Sequence, residues 1–248
     1  MLKHLANLSL MKKSPNTKPT EETKPVFSCE FCRRVFLREK TIFTHICEGK
    51  HRWAEKDKQG PRIGFQSWLQ FYAKNSMGRK NRTQEEFIKS AYYTAFIKFG
   101  TYCAGANVIN VSRYTDWLLK EQIRIDSWNQ DTNYTKFLIE YIRIEDPMDA
   151  LARSIETTIK MAETERILAH DILRYGNPNK ICYQITLGKI SPWMLYQSDS
   201  GTQFLSTLNQ DHVTMILDYI NPEQWAIKFK RDPETANVVK GLLKQAGY

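Results

Sequence analysis

The sequence lacks the features of a membrane protein or a secreted protein. No stretch approaches the roughly 18 consecutive apolar residues that a transmembrane helix needs. The amino terminus does not fit a secretory signal, because its short apolar stretch is interrupted by Asn7 and has no small-residue cleavage site. The five cysteines are an odd number, and three of them cluster, which does not fit a secreted disulfide framework. We therefore expect a cytoplasmic protein that makes no membrane contact.

The sequence motifs of the common enzyme classes are also missing. There is no phosphate-binding loop, no dinucleotide-binding glycine pattern, no HExxH and no GxSxG. His170 and Asp171 have no nucleophile motif nearby, and Cys103 and Cys182 lie among apolar residues, as buried thiols do. The sequence predicts a protein that is not an enzyme and has no small-molecule substrate.

Acidic residues are scarce in the first part of the chain. The net charge is +9, and residues 1–100 contain 20 of the 36 basic residues but 9 of the 27 acidic ones. This excess of positive charge fits binding to nucleic acid or to an acidic protein, and it equally fits a solvated basic surface. The charge pattern alone leaves these interpretations open.

Composition and periodicity divide the chain into four segments. Residues 1–25 are polar and predict a flexible basic arm, and residues 26–53 contain the clustered cysteines. Residues 54–62 are polar and contain Gly60-Pro61, which is typical of a linker. Residues 63–248 show apolar side chains at helical spacing and predict a multi-helix all-α domain.

Helix starts are marked by capping residues. Thr83 and Glu86 have the spacing of a capping box, which predicts a helix that runs to Phe99. Ile181–Leu187 is the one segment that could form a strand, so we expect seven to nine helices and no sheet in this domain. Four further starts pair a capping side chain with proline at the first helical position: Asp146-Pro147, Ser191-Pro192, Asn221-Pro222 and Asp232-Pro233.

The strongest local signal is a pattern of metal ligands. Two residues separate Cys29 from Cys32, and twelve separate Cys32 from His45, which is enough for a hairpin and a short helix. Phe36 and Ile42 supply a small apolar core, and a tetrahedral zinc site would add the stability that so small a module lacks. The segment predicts a ββα-like zinc finger, and so the fold class is mainly α.

The fourth ligand has two candidates. His51 follows His45 by six residues, while Cys47 follows it by two. On a continuous helix Cys47 would point away from the metal, but it can turn inward if the helix ends at His45. We favour Cys47, because a thiolate is the stronger zinc ligand, and keep His51 as the alternative.

The module resembles the classical two-Cys/two-His zinc finger family. That resemblance implies that Arg38, Thr41 and Thr44 would face DNA bases and that Lys40 would contact phosphate. A single finger makes a small DNA interface, and Leu37 adds apolar surface to its helix. Docking on protein is therefore at least as good an interpretation as DNA binding.

A second resemblance spans nearly the whole chain. It rests on the sequence around His45-x-Cys47, on Gly188–Tyr196 and on the segment from Tyr219 to Phe229. These segments are similar to the baseplate hub assembly proteins of phages with T-even-type contractile tails. The resemblance favours Cys47 as a ligand. It implies a non-catalytic assembly factor that binds hub proteins in the host cytoplasm.

Overall fold

The computed structural model describes residues 27–75 and 81–248. The chain divides into two compact units, one that ends at Glu55 and one that spans Lys56–Tyr248. The basic arm predicted for residues 1–25 lies outside the described residues. In the two described ranges, no helix combines the length and the apolar character needed to cross a membrane.

The first unit has the predicted ββα order and one further helix. Strand β1 (Phe27–Ser28) pairs antiparallel with β2 (Val35–Phe36), and Phe27 lies opposite Phe36. Helix α1 (Glu39–Thr44) follows the hairpin. Helix α2 (Glu48–Ala54) then runs through most of the segment between Cys47 and the end of the unit.

The second unit confirms the predicted all-α class. Its described residues form thirteen α-helices, more than the seven to nine expected, because many of them are short and separately capped. Two 3-10 helices cover Ile125–Ser127 and Ala169–Asp171. The α-helices are α3 (Gln59–Asn75), α4 (Gln84–Ile88), α5 (Tyr93–Gly105), α6 (Val111–Lys120), α7 (Asp131–Ile144), α8 (Pro147–Glu165), α9 (Ile172–Tyr175), α10 (Pro178–Thr186), α11 (Pro192–Gln197), α12 (Asp199–Ser206), α13 (Gln210–Ile220), α14 (Pro222–Arg231) and α15 (Pro233–Gln245).

The end of the predicted linker is helical. Residues 59–62 form the first turn of α3, where a proline costs no helical hydrogen bond. Gly60 and Gly64 on α3 face Gly100 on α5, so the two backbones come very close. A Cβ atom on Gly64 would lie 2.5 Å from the carbonyl oxygen of Phe96. Gly60 therefore serves helix packing here and does not mark a flexible linker.

This close approach gives a testable prediction. A Cβ atom at Gly100 would overlap the carbonyl oxygen of Gly60, and no side-chain rotation could relieve that overlap. We expect Gly100→Ala to lower the free energy of unfolding by about 3 kcal/mol, as measured by urea denaturation. Gly105 lies in the same helix with no described atom within 4 Å of its Cβ position, so Gly105→Ala should be neutral or stabilising by about 0.5 kcal/mol. Equal effects of the two substitutions would contradict this packing.

The helix that starts at Thr83 is shorter than predicted. Both hydrogen bonds of the capping box are present, but α4 ends at Ile88 and does not run on to Phe99. The Ser90 hydroxyl accepts a hydrogen bond from the backbone amide of Tyr92, at 3.1 Å. A side chain that bonds nearby backbone competes with helical hydrogen bonds, and α5 begins after this break.

The four predicted pairs of capping residue and proline all begin helices. In each pair the side chain before the proline accepts a backbone N–H of the first turn. Asn177-Pro178 is a fifth such pair, and it begins α10. The possible strand at Ile181–Leu187 is therefore wrong, since residues 181–186 continue this helix.

Aromatic side chains fill the core of the second unit. Trp128 is fully buried, and its ring centroid lies 5.5 Å from Phe96 and 5.2 Å from Phe99. Its indole N–H donates to the carbonyl of Ile123 at 2.9 Å. The periodic residues of α7 are buried as predicted: Tyr134, Phe137, Leu138 and Tyr141.

Candidate metal centre

A tight turn after β1 positions the first two thiols. The backbone N–H of Cys29 donates to the carbonyl of Arg34 at 2.9 Å, and the N–H of Arg33 donates to the carbonyl of Cys29 at 2.7 Å. Arg33 adopts the left-handed conformation, with φ of 59°. The chain therefore reverses between Cys29 and β2, which brings the Cys32 side chain back towards Cys29.

The chain path after α1 brings in the other two candidates. Helix α1 ends at Thr44, and His45 is extended, with φ of −66° and ψ of 123°. Cys47 is also extended and immediately precedes α2. Because the helix stops before His45, Cys47 does not follow the helical direction and can face the same point as the imidazole.

The four side chains converge on one point. The ligand atoms of Cys29, Cys32, His45 and Cys47 all lie within 4.8 Å of one another. Cys32 Sγ lies 3.2 Å from His45 Nε2, and Cys29 Sγ lies 3.9 Å from Cys47 Sγ. A tetrahedral site with metal–sulfur bonds of about 2.3 Å has sulfur–sulfur edges of roughly 3.8 Å. The cluster therefore has the size of a tetrahedral metal site.

His51, the alternative fourth ligand, lies on α2, is exposed and is not a member of this cluster. The structure brings together Cys47 and the three residues that both sequence alternatives shared. A cluster of this composition can hold a metal ion with four protein ligands.

Contacts within the unit support the cluster. The Phe36 ring lies 4.7 Å from the His45 ring, so Phe36 packs beside the imidazole. The Lys50 ammonium donates to the carbonyl of Ile42 at 2.9 Å, which ties α2 to α1. Gly49 permits α2 to approach Phe31, because a Cβ atom there would lie 2.7 Å from that side chain. These contacts of α2 were not anticipated from the ligand spacing.

The environment shifts two groups towards their metal-binding forms. A hydrogen bond from the backbone N–H of Cys32 holds the pKa of the Cys29 thiol below its usual value. Desolvation, followed by the charges of Lys50 and Arg34, lowers the pKa of His45. Thiolate sulfur and neutral imidazole are the forms that bind metals.

Cys32 behaves differently from these two groups. The backbone hydrogen bond at Arg34 lowers its pKa, but desolvation and the neighbouring Cys29 and Cys47 outweigh that bond, so the pKa is raised. Negative charge on three sulfurs at such short distances is unfavourable, and a bound cation would remove that repulsion.

The outer surface of α1 is accessible. The residues that the finger resemblance assigned to nucleic acid are all exposed: Arg38, Lys40, Thr41 and Thr44. The Thr44 hydroxyl donates to the carbonyl of Lys40 at 3.2 Å, within its own helix. Large apolar side chains of the same unit are exposed as well: Val35 (57 %), Leu37 (70 %), Phe43 (76 %) and Ile46 (83 %).

The remaining cysteines lie in the core of the second unit. Burial raises the pKa of Cys103 to about 12 and that of Cys182 to about 11. Both values exceed the roughly 8.5 of a thiol in an unfolded chain. Between that pH and these raised pKa values the thiols ionise in the unfolded chain but not in the folded protein, so the free energy of unfolding falls as the pH rises through this range.

His170 Nε2 lies 3.8 Å from Asp171 Oδ2, and Asp171 also pairs with Arg174.

This difference between the cysteines can be measured by alkylation. At pH 8, after removal of metal with a chelator, we expect iodoacetamide to modify Cys29, Cys32 and Cys47 readily. Cys103 and Cys182 should react only after the protein is unfolded, because both thiols are buried and stay protonated at this pH. Mass spectrometry of the digested protein would show three fast sites and two slow sites. Equal rates at all five would contradict the placement of Cys103 and Cys182 in the core.

The chain was compared with known proteins, and no protein-family model, no curated protein and no solved structure matches it.

Proposed function

We propose that this chain is a non-catalytic zinc-binding protein whose finger unit presents a surface to another protein. The observation that carries the proposal is the convergence of three thiols and one imidazole within 4.8 Å. Four protein ligands fill a tetrahedral zinc shell and leave no position for water or substrate, so the metal would stabilise the fold and perform no reaction.

The donor set favours zinc over other metals. Calcium and magnesium prefer oxygen ligands, whereas thiolate and imidazole together suit zinc. The finger unit has very few buried side chains: neither of its helices contains a buried residue. A module with so little core needs a metal to fold, as small zinc modules in general do.

The exposed apolar side chains support binding to a protein. Leu37, Phe43 and Ile46 are each at least 70 % exposed in one short unit. Exposed large apolar groups concentrated in this way are typical of protein interaction sites. The resemblance to phage baseplate hub assembly proteins would make hub components the partners and particle assembly the setting.

Nucleic-acid binding is the second candidate. Its support is the exposure of Arg38 and Lys40, neither of which forms an ion pair with any described residue. By the resemblance to the classical finger, these are the positions that would contact DNA. Such an interface would be small, since a single finger buries little surface.

Two pairs of substitutions separate these candidates. Phe43→Ser with Ile46→Ser should abolish binding of the tagged protein to its partner in lysate of the native host, while Arg38→Ala with Lys40→Ala should leave it intact. Duplex DNA should bind weakly to all variants. If DNA instead binds tightly, loses at least tenfold in affinity between 50 and 200 mM salt, and depends on Arg38 and Lys40, the second candidate is correct.

A further inference from the structure

One sulfur-bearing side chain of the metal cluster lies open to solvent. Cys32 is exposed, whereas Cys47 is partly buried and Cys29 is only 2 % exposed. The thiolate is the reactive form of cysteine, and a thiol that binds a metal ion is deprotonated outright. Cys32 therefore combines the two properties that make a cysteine susceptible to oxidation, which are thiolate character and access from solvent.

The other two sulfurs of the cluster lie close enough to complete a disulfide. Since all the ligand atoms lie within 4.8 Å of one another, Cys29 Sγ and Cys47 Sγ are both within that distance of Cys32 Sγ. A disulfide bond is about 2.05 Å long, so the sulfurs would have to approach by less than about 3 Å. Neither α1 nor α2 contains a buried residue whose packing would resist such a movement.

We propose that Cys32 is a site of oxidation by peroxides, which turns the cluster into a disulfide; this rests on the proposed function, because the cluster is taken to hold zinc. The Cys32 thiolate first forms a bond to one oxygen of hydrogen peroxide, the O–O bond breaks, and hydroxide leaves. Cys32 is then a sulfenic acid. The thiolate of Cys29 or Cys47 next forms the S–S bond, the S–O bond breaks, and a second hydroxide leaves. The two sulfurs lose two electrons, and the peroxide gains them.

Disulfide formation removes two of the four metal ligands. One thiolate and the imidazole of His45 remain, which are too few to fill a structural zinc site. Since the metal compensates for the small core of the finger unit, its loss should unfold that unit. The exposed apolar side chains Leu37, Phe43 and Ile46 then no longer form one surface, while the second unit keeps its own buried core. Oxidation therefore switches off binding to a partner without unfolding the whole protein.

The remaining thiols of the chain do not compete for the oxidant. Cys103 is 2 % exposed, and Cys182 is fully buried in α10. Reaction with peroxide requires access to the sulfur, so oxidation is confined to the finger unit. The two buried thiols thus provide an internal control within the same chain.

Zinc release and disulfide formation can be followed together in the full-length protein. Bound zinc is first measured by elemental analysis, and hydrogen peroxide is then added in the presence of a chromogenic zinc chelator. We expect one zinc to be released for each disulfide formed. Mass spectrometry after differential alkylation should find Cys32 in that disulfide, with Cys103 and Cys182 oxidised at least about tenfold more slowly. Dithiothreitol with added zinc should restore the bound metal.

The outcomes separate this proposal from the proposed function. A protein that holds no zinc before treatment overturns both. A protein that holds zinc and keeps it in excess peroxide, or that loses zinc without a disulfide at Cys32, overturns the oxidation site alone.

The matched variant is Cys103→Ala with Cys182→Ala, which removes the two buried thiols. It should release zinc at a rate within about twofold of the original, because both residues lie outside the finger unit. Loss of the response in this variant would show that the buried thiols react in place of Cys32 and would overturn the proposal.

Discussion

Cys47→Ser should abolish stoichiometric metal binding, whereas His51→Ala should leave it intact. The structure places Cys47 Sγ 3.9 Å from Cys29 Sγ, while His51 is exposed and outside the cluster. Zinc binding contributes roughly 10 kcal/mol or more to the folding of small zinc modules, so the loss of one ligand should also unfold the finger unit. We expect bound zinc to fall from one per chain to below about 0.1 in Cys47→Ser after dialysis against a weak chelator.

The matched control for this experiment is Cys182→Ala, which removes a thiol from the core of the other unit. It should retain one zinc per chain, although the body should lose some stability. Zinc content is measured by elemental analysis of gel-filtered protein. If His51→Ala loses its metal and Cys47→Ser retains it, the fourth ligand is His51 and the assignment of Cys47 is wrong.

Arg153→Met should destabilise the second unit by about 3–5 kcal/mol. The carboxylate of Glu145 is 1 % exposed, and Arg153 donates to both of its oxygens, with Nη2 at 2.7 Å from Oε2. Arg153 Nε also donates to the carbonyl of Gly188 at 2.9 Å. Methionine has a similar length but no charge, so Glu145 would stay buried without its two donors. Urea denaturation followed by circular dichroism measures the loss.

Lys160→Met on the same helix is the control. Lys160 pairs with Glu156, but both side chains are largely exposed, and such pairs contribute at most about 1 kcal/mol. Replacing Glu145 together with Arg153, as Glu145→Leu with Arg153→Met, removes the unpaired charge and should recover at least half of the lost stability. Equal effects of Arg153→Met and Lys160→Met would show that the Glu145 pair is not a buried interaction.

Much of the candidate metal centre was predictable, because ligand spacing in so short a module leaves few arrangements. The spacing of the ligands predicts that Cys29 and Cys32 lie on a turn and that His45 lies at the end of a helix. The choice between Cys47 and His51 depended on where α1 ends, and no capping residue marks that point. Lys50 and Gly49 act through the packing of α2, since Lys50 bonds the Ile42 carbonyl and Gly49 lies against Phe31. The spacing of the ligands does not predict that packing.

The helical class of the second unit was predictable from periodicity, but its divisions were not. The helix that the capping box begins ends at Ile88, and the Ser90 hydroxyl bonds the backbone amide of Tyr92 just beyond that end. Nothing in the apolar pattern marks this break. The residues of α10 are β-branched and aromatic in part, which suggested a strand. Asn177-Pro178 has the same form as the other four pairs of capping residue and proline, so the sequence itself contains the signal that a helix begins here.

The packing of α3 on α5 illustrates a further limit. Gly60 and Pro61 suggest a linker when they are read locally, because both residues are common in turns. Their helical role depends on Gly100, which is 40 residues away in sequence and opposite in space. Sequence patterns over a few residues cannot reveal such a pairing.

The central claim is that one zinc ion is held by three sulfurs and one nitrogen, with no open coordination position. X-ray absorption spectroscopy of the full-length protein at the zinc edge tests this directly. The account predicts one zinc per chain, with three sulfur ligands at about 2.3 Å and one nitrogen at about 2.0 Å. A spectrum with two nitrogen ligands, with a bound water oxygen, or with no stoichiometric zinc at all would contradict it.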